Sequence, residues 1–310
     1  DSGVRVEGEF FIDCTGMRSL LLGQTLGVGF KDCNDVLFCD TALAMQVPYP
    51  APDAPVATHT ISTAQSAGWI WDIGLPTRRG VGHVYSSRHI GREEAEAELR
   101  AYVGPAAEGL AVRKIDIRSG HRELFWKNNC VAVGLAAGFL EPLEASAIVL
   151  IELSAKMIAD QMPPVREVMD VVARRYNEKT LYRWGRIIDF LKLHYVLSQR
   201  RDTAFWRDNM DPASIPERLQ ELMALWQYQG PYMHEEFDRV DEVFPSASYQ
   251  YVLYGMGFRT EVSARTLEPE VREARRARAE NADVTARMLS GLPRHRDLID
   301  RIVKYGLQPV

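Results

Sequence analysis

The sequence predicts a mixed α/β protein in which a sheet-rich part, residues 1–162, is followed by a mostly helical part, residues 163–310. Three observations predict this fold class. Segments enriched in β-branched and aromatic residues, with turn residues at their ends, crowd the first part. After Pro163 and Pro164, apolar residues recur at spacings of three and four, which is typical of helices. The 310 residues are 46% hydrophobic and 25% charged, a composition that supports a well-packed core.

The first part is predicted to consist mainly of strands. Residues 92–103 interrupt them as one amphipathic helix, and the prolines within 48–55 mark a loop. A second helix begins near Pro142 and ends before Pro163; because it is apolar on nearly every side, we expect it to be buried. The predicted strands are 4–13, 36–47, 56–64, 68–75, 80–86, 113–118 and 130–133. The predicted helices of the second part are 165–199, 214–228, about 248–255 and 268–290.

Charge and cysteine content exclude several classes of protein. The net charge is −5 and the charges are interspersed, so a basic face for nucleic acid is not predicted, although residues 272–278 are locally basic. The four cysteines form no paired motif, which favours a reducing compartment. The sequence contains no apolar run of membrane-spanning length and no metal-binding histidine pattern. We therefore expect a cytoplasmic protein without nucleic-acid, membrane or metal partners.

FIDCTG, residues 11–16, is the first candidate binding element. An apolar strand that ends in Asp and continues with small residues is how open α/β sheets bring their backbone close to a ligand. A strand that runs into a tight turn explains the same residues, so both interpretations stay open. Because the strand predicted over 4–13 begins almost at once, we expect that the sequence starts in mid-domain.

The most informative segment is GLAAGFLEPLEASAI, residues 134–148. Its small residues leave room for a flat cofactor, and the helix that follows has unpaired N–H groups and the positive end of its dipole at its start. The amides of Ser146 and Ala147 can therefore hold a small anion. The same dipole stabilises Glu144 as a carboxylate, while Glu141 lies three residues earlier. Helix capping explains one carboxylate, whereas two beside a glycine-lined cavity indicate a catalytic site.

GWIWDI, residues 68–73, contains a pair of tryptophans. Trp69 and Trp71 are two residues apart, so both project from the same face of a strand. Side by side, two indoles form a large flat wall. Packing into the core is the alternative explanation of the pair.

Together these segments resemble the flavin-dependent tryptophan halogenase family over roughly residues 4–260. FIDCTGMRSLLLG, GWIWDI and GLAAGFLEPLEASAI are similar to three of its signature segments, and LHYVLSQRRDTAFW, residues 193–206, has the family's character. Gly74 stands where the family usually has proline, and Ala147 replaces a glycine. The family's Gly-rich flavin fingerprint and its catalytic lysine lie in a region that this sequence does not contain.

The resemblance implies a flavin-monooxygenase-like sheet domain, N-terminally truncated, over residues 1–162, with the flavin and halide sites. It implies a reaction in which reduced FAD, oxygen and chloride or bromide give hypohalous acid, which halogenates an indole-type ring. Glu144 corresponds to the catalytic glutamate, which accepts the ring proton. A separate flavin reductase supplies the reduced FAD, and a homodimer is a further expectation. The other residues that the resemblance assigns are Ser146 and Ala147 for the halide, Thr15, Gly16, Leu135 and Ile148 for the flavin, and Trp69 and Trp71 for the wall of the flavin chamber.

The substrate side is expected in the helical domain, residues 163–310. Family members that act on free tryptophan present adjacent tyrosines and a nearby glutamate, whereas SYQYVLYGMGF, residues 248–258, has Ser248 before Tyr249 and no acid. A simple indole, or an aromatic group on a larger molecule, therefore suits this segment at least as well as free tryptophan. Tyr249 is the predicted substrate contact, with helix packing as its alternative.

Two other functions stay open. A flavin-dependent aromatic hydroxylase would share the flavin chamber but pass oxygen to the substrate, although Trp69, Trp71 and Glu144 favour halogenation. The chain is alternatively an inactive scaffold, because without the fingerprint and the lysine it is expected to lack a complete flavin site and to be inactive alone.

Overall fold

Three small sheets form the strand-rich part of the molecule. The computed structural model describes residues 3–231, 242–261 and 268–307. The sheets have the strand orders β1-β10-β9, β11-β8-β2 and β4-β5-β6-β3-β7. The strands are β1 (Phe11–Asp13), β2 (Phe30–Asp32), β3 (Thr41–Pro48), β4 (Ile61–Gln65), β5 (Gly68–Gly74), β6 (Arg78–Tyr85), β7 (Arg113–Asp116), β8 (Gly120–Arg122), β9 (Trp126–Lys127), β10 (Cys130–Ala132) and β11 (Gly138–Phe139).

The five-stranded sheet is antiparallel and presents the tryptophan pair. Trp69 of β5 lies opposite Val84 of β6, and Trp71 lies opposite Gly82. Because successive side chains of a strand alternate between faces, the two tryptophans share one face and Ile70 occupies the other. Ile70 packs into a buried cluster with residues of the helix Arg92–Val103, such as Leu99. The tryptophans therefore lie on the face opposite that helix.

A parallel strand pair brings two distant turns together. β1 runs parallel to β10, with Asp13 paired to Ala132, and β9 extends the sheet antiparallel. Since parallel strands end at the same edge, the turn after each strand lies at that edge. The short helical turn Gly16–Arg18 accordingly packs against the turn Gly134–Ala136.

The sheet β11-β8-β2 positions the first residue of the segment that carries the candidate site. β11 pairs with β8 at Gly138 and His121. The φ of Gly138 is 156°, and a Cβ built there would lie 2.5 Å from the carbonyl oxygen of Gly120 and 2.7 Å from the ring of Trp184. Only glycine allows this approach of backbone to backbone. Gly138 therefore fixes the start of the segment that carries the two glutamates.

One long helix organises the second part of the chain. The helices are α1 (Arg92–Val103), α2 (Ser146–Asp160), α3 (Met169–Val196), α4 (Ala204–Asp208), α5 (Glu217–Trp226), α6 (Ser246–Gly255), α7 (Glu268–Gly291) and α8 (His295–Tyr305). Tyr176 and Trp184 of α3 share a hydrophobic cluster with Val131 of β10. The helical part thus packs directly on the sheet part, and a domain boundary at residue 162 stays a prediction.

The predicted mixed α/β class is confirmed, and several elements have different bounds. Residues 4–10 form no strand, and the strand predicted over 36–47 begins at Thr41. The expectation that α2 is buried is wrong: Ile148 is 65% exposed, because α2 packs on the core along only one side. Within the described ranges, no helix is long and apolar enough to cross a membrane.

Helix α8 was not predicted from the sequence. It follows a proline, and its apolar positions are few. Its anchor is Arg296, a buried cation whose Nε donates to the carbonyl oxygen of Ala54 at 3.0 Å and whose guanidinium lies 4.8 Å from the ring centre of Tyr49. The proline-rich loop after β3 therefore holds the C-terminal helix.

Candidate active site

The segment between β11 and α2 has an unusual backbone. Its short helical turn, Leu143–Ala145, contains Glu144 at φ 64° and Ala145 at φ 49°. Left-handed conformations cost roughly 1–3 kcal/mol each for residues other than glycine, and such residues concentrate at functional sites. We call residues 141–147 the acidic turn. Two successive strained residues place the Glu144 side chain and the start of α2 on different sides of this turn.

Glu144 is held by a histidine of α3. Its Oε1 lies 3.0 Å from Nε2 of His194, while Nδ1 of the same ring lies 2.9 Å from the carbonyl oxygen of Phe190. A carbonyl oxygen can only accept, so Nδ1 carries a hydrogen. One further proton is therefore shared by Nε2 and the carboxylate. The hydrogen bond from His194 keeps the pKa of Glu144 below its usual value against the opposing effect of burial, which favours the carboxylate form of Glu144.

A cavity of about 560 Å³ opens beside Glu144. Trp69 and Trp71 line it from β5, Phe139 lines it from β11, and Leu143 lines it from the acidic turn. The two indole rings lie 6.4 Å apart at an interplanar angle of 64°. The prediction that both project from one face is confirmed, but they meet edge to face and do not form a flat wall. The cavity joins an apolar, aromatic surface to a single carboxylate.

A second, narrow cavity of about 50 Å³ lies at the start of α2. Ser146, Ala147 and Leu135 line it together with Gly138. The first N–H groups of a helix have no partner within the helix, so the amides of Ser146 and Ala147 are available at this cavity. The tryptophan pair does not line it. The structure thus brings Trp69 and Trp71 to the cavity of Glu144, and their assignment to the wall of the flavin chamber stays a prediction.

The turn after β1 is organised by a buried aspartate. Asp13 accepts hydrogen bonds from the amide and hydroxyl of Thr15 at 3.0 and 2.6 Å and from the amide of Leu22 at 2.8 Å. Burial alone would raise the pKa of Asp13, but these bonds outweigh it and lower the pKa. Since the Thr15 hydroxyl also accepts from the amide of Leu20 at 2.7 Å, it is used within the turn. The amide and the hydroxyl of Thr15 are therefore both used within the turn, whereas a Cβ built on Gly16 would meet nothing within 4 Å, so the open backbone is that of Gly16.

Glu141 lies in the interior, behind the acidic turn. It is 1% exposed, and its Oε2 accepts from the hydroxyl of Tyr195 at 2.8 Å. Burial raises the pKa of Glu141 to about 7, although Tyr195, Cys39, His194 and Lys192 oppose the rise. Sequence reasoning noted Glu141 but missed Tyr195 and His194. The adjacent pair HY within LHYVLSQRRDTAFW was the available signal.

Two assigned residues lie apart from the cavities. Tyr249 is fully buried, with Phe190 and Trp226 around its ring at centroid distances of 4.8 and 5.4 Å. This position corresponds to the alternative of helix packing. Ile148 lies on the exposed side of α2. Within the ranges that the structure describes, no three His, Cys, Asp or Glu side chains gather as metal ligands.

Comparison with known proteins identifies relatives of this architecture. The sequence profile of the tryptophan halogenases matches residues 1–270. The chain is 36% identical over 304 residues to the 7-chloro-L-tryptophan 6-halogenase KtzR of Kutzneria sp. (strain 744), an alignment that covers 96% of this chain and 57% of that protein.

Solved structures give the same result. A tryptophan halogenase from Shewanella frigidimarina NCIMB 400 superposes with a TM-score of 0.96 and 47% identity over 100% of this chain and 59% of that one. BrvH, a flavin-dependent halogenase from Brevundimonas sp. BAL3, gives a TM-score of 0.85 and 36% identity over 97% of this chain and 60% of that one. The chain thus spans less than two thirds of the length of these relatives.

Proposed function

This chain belongs to the tryptophan halogenase family, and on that premise we propose that it carries the halide site, the catalytic carboxylate and the substrate cavity of a flavin-dependent halogenase. The proposed substrate is an indole-type aromatic ring, and the proposed halide is chloride or bromide. The observation that carries the proposal is the acidic turn, which separates a cavity lined by Glu144 from one lined by Ser146 and Ala147.

The residues assigned to the flavin suit a flat, largely apolar ring. Leu135 is about half exposed and Ile148 is 65% exposed, and the unassigned Met17 and Ile151 expose apolar surface as well. A Cβ built on Gly16 would have no neighbour within 4 Å, so the backbone there is open to a ligand. When bound, reduced FAD would react with oxygen and so provide the oxidant that converts the halide to hypohalous acid. A separate flavin reductase is the proposed source of the reduced FAD.

The halide is proposed to bind at the start of α2. The amides of Ser146 and Ala147 point away from the helix, and the helix dipole adds positive potential there. The contact is made by the backbone, so the alanine at position 147 retains it. Glu144 repels an anion less than its charge alone predicts, because His194 lies 3.0 Å from its Oε1.

The ring to be halogenated is proposed to enter the cavity of Trp69 and Trp71. Its volume of about 560 Å³ lies within the ordinary range for small-molecule sites. There the Glu144 carboxylate can stabilise positive charge on the ring and accept the proton that leaves when aromaticity returns. His194 keeps Glu144 ionised and oriented for this step. KtzR is named for a chlorinated tryptophan, and indole or tryptophan are the first substrates to test.

Product analysis tests the proposal. The full-length protein is incubated with indole or tryptophan, bromide, oxygen, FAD, a flavin reductase and NADH as the reductant, and mass spectrometry should show the paired bromine isotopes in the product. Glu144→Gln should abolish the product, whereas Glu152→Gln, an exposed glutamate of α2, should not. A hydroxylated product would instead support the aromatic hydroxylase.

A measurement of halide binding does not depend on turnover. Crystals grown in bromide should show an anomalous peak within hydrogen-bonding distance of the Ser146 and Ala147 amides. If the protein neither binds bromide there nor retains FAD, the scaffold alternative is supported.

A further inference from the structure

Two adjacent residues of α3 hold the two glutamates of the acidic turn. His194 lies 3.0 Å from Glu144, and Tyr195 donates to Glu141 at 2.8 Å. Neighbouring residues on a helix point about 100° apart, so α3 reaches the turn in two directions. We propose that Glu141 is a positioning residue, which Tyr195 holds so that the acidic turn keeps Glu144 and the start of α2 in place. The proposal rests on the proposed function only in naming Glu144 as catalytic.

The contact between Glu141 and Tyr195 is enclosed. Glu141 is 1% and Tyr195 4% exposed, so water does not compete for this hydrogen bond. Cys39 lies 3.7 Å from the Tyr195 hydroxyl through its Sγ. Oε1 of Glu141 is buried and has no hydrogen-bond partner within the described residues. The hydrogen bond from Tyr195 thus holds the carboxyl group through Oε2.

The acidic turn needs these side-chain contacts because its own backbone does not fix its position. Glu144 and Ala145 are both left-handed, a conformation that side chains disfavour. Ala145 donates to the carbonyl oxygen of Pro142 at 3.0 Å, but this bond lies within the turn itself. The two side-chain contacts to α3 connect the turn to the rest of the molecule, one before the strained residues and one at the first of them.

The hydrogen bond between Tyr195 and Glu141 can respond to pH. The groups that face Glu141 are Lys192, His194 and Tyr195 of α3 and Cys39 before β3. Lys192 is itself fully buried, and its Nζ donates to Oδ1 of Asn209 at 2.8 Å. Ionised Glu141 can only accept, as it does from the Tyr195 hydroxyl, whereas a protonated carboxyl also carries a donor that needs an acceptor of its own. Gain of a proton therefore changes the hydrogen bonding around Glu141.

Carboxyl-carbon NMR of glutamate-labelled protein tests this proposal without turnover. The resonance that is absent from Glu141→Gln should titrate near pH 7, the value to which burial raises the pKa of Glu141. The amide resonances of Ser146 and Ala147 should show the same midpoint. Tyr195→Phe removes a hydrogen bond that stabilises the carboxylate, so both midpoints should move upward together by about one pH unit.

Matched variants separate positioning from general effects on α3. Tyr176→Phe changes another buried tyrosine of α3, and Asp189→Asn changes another buried carboxylate of α3. Both should leave the two midpoints unchanged. The proposal is overturned if the amides of α2 do not follow the Glu141 midpoint, or if Tyr195→Phe moves it no more than Tyr176→Phe does. A protein that passes this test but halogenates nothing would contradict the proposed function alone.

Discussion

The two glutamates of the acidic turn are the same residue type in opposite electrostatic environments. The side chain of Glu144 is 39% exposed and lies against an imidazole, and its pKa is lowered. Glu141 is 1% exposed and lies against a hydroxyl, and burial raises its pKa to about 7. Three residues of separation thus divide a carboxylate suited to accept a proton from a carboxyl group that holds one. The hydrogen-bond partner and the burial of each glutamate, and not its residue type, therefore decide its pKa and its role.

The largest expected difference between Glu141 and Glu144 is in their effect on the rate of halogenation. Glu144→Gln removes the proton acceptor, so the rate of halogenation should fall about 100-fold or more. Glu141→Gln keeps an oxygen that accepts the Tyr195 hydroxyl, so its rate should fall by about tenfold or less. Turnover of bromide into brominated indole measures both. Equal losses in the two variants would contradict the division of roles.

The second prediction concerns how the stability of the folded protein changes with pH. The pKa of Glu141 rises from 4.5 to about 7 on folding, so its proton stabilises the folded state fully below pH 4.5, and that contribution is lost as the pH rises to 7. The loss amounts to about 3 kcal/mol. Burial lowers the pKa of Lys192 from 10.5 to about 7, so its contribution runs the other way and stability rises with pH between 7 and 10.5.

Chemical denaturation at a series of pH values between 4.5 and 10.5 measures both the fall in stability up to pH 7 and the rise in stability above it. Glu141→Gln should remove the fall in stability that Glu141 causes, and the rise due to Lys192 should begin at lower pH, because the Glu141 carboxylate raises the pKa of Lys192. Asp189→Asn is the control, because burial raises the pKa of Asp189 to about 6 and its own contribution ends there. An unchanged slope between pH 6 and 7 in Glu141→Gln would show that Glu141 does not hold the proton.

The third prediction concerns the partner of Glu144. His194→Phe removes the hydrogen bond that lowers the pKa of Glu144, so this pKa should rise. The acidic limb of the pH-rate profile should therefore move to higher pH, and the rate on that limb should fall. His89→Phe is the control, because His89 pairs with Asp208 at 3.1 Å in another part of the molecule. Equal profiles for the two variants would contradict the role of His194.

The smallest effect is expected in the cavity beside Glu144. A Cβ built on Gly82 would lie 2.1 Å from the ring of Trp71, so Gly82→Ala should displace that indole. The KM for indole should rise about threefold to tenfold while kcat changes less, because the carboxylate is untouched. Gly80→Ala lies on the same strand with no neighbour within 4 Å and should leave KM unchanged. A larger loss of kcat than of affinity would place Trp71 in the chemistry.

Much of the local structure could be predicted from the sequence. The helix expected over 92–103 has those bounds as α1, and the strand expected over 68–75 is β5, Gly68–Gly74. Both patterns are periodic over short distances, so local spacing suffices. Helix α8 escaped prediction because its docking depends on Arg296 and a loop more than 200 residues earlier.

The chemistry of the acidic turn was only half predictable. The sequence by itself determined that two carboxylates, small residues and a helix start lie together, since these are neighbours along the chain. Only the tertiary structure decided that His194 faces Glu144 and that Tyr195 faces Glu141, because those contacts join residues 50 and 54 positions apart. Burial and charge pairing set the pKa of each group, and both depend on the packing of α3 against the sheets. Local pattern therefore located the site, and long-range packing assigned a different role to each of its glutamates.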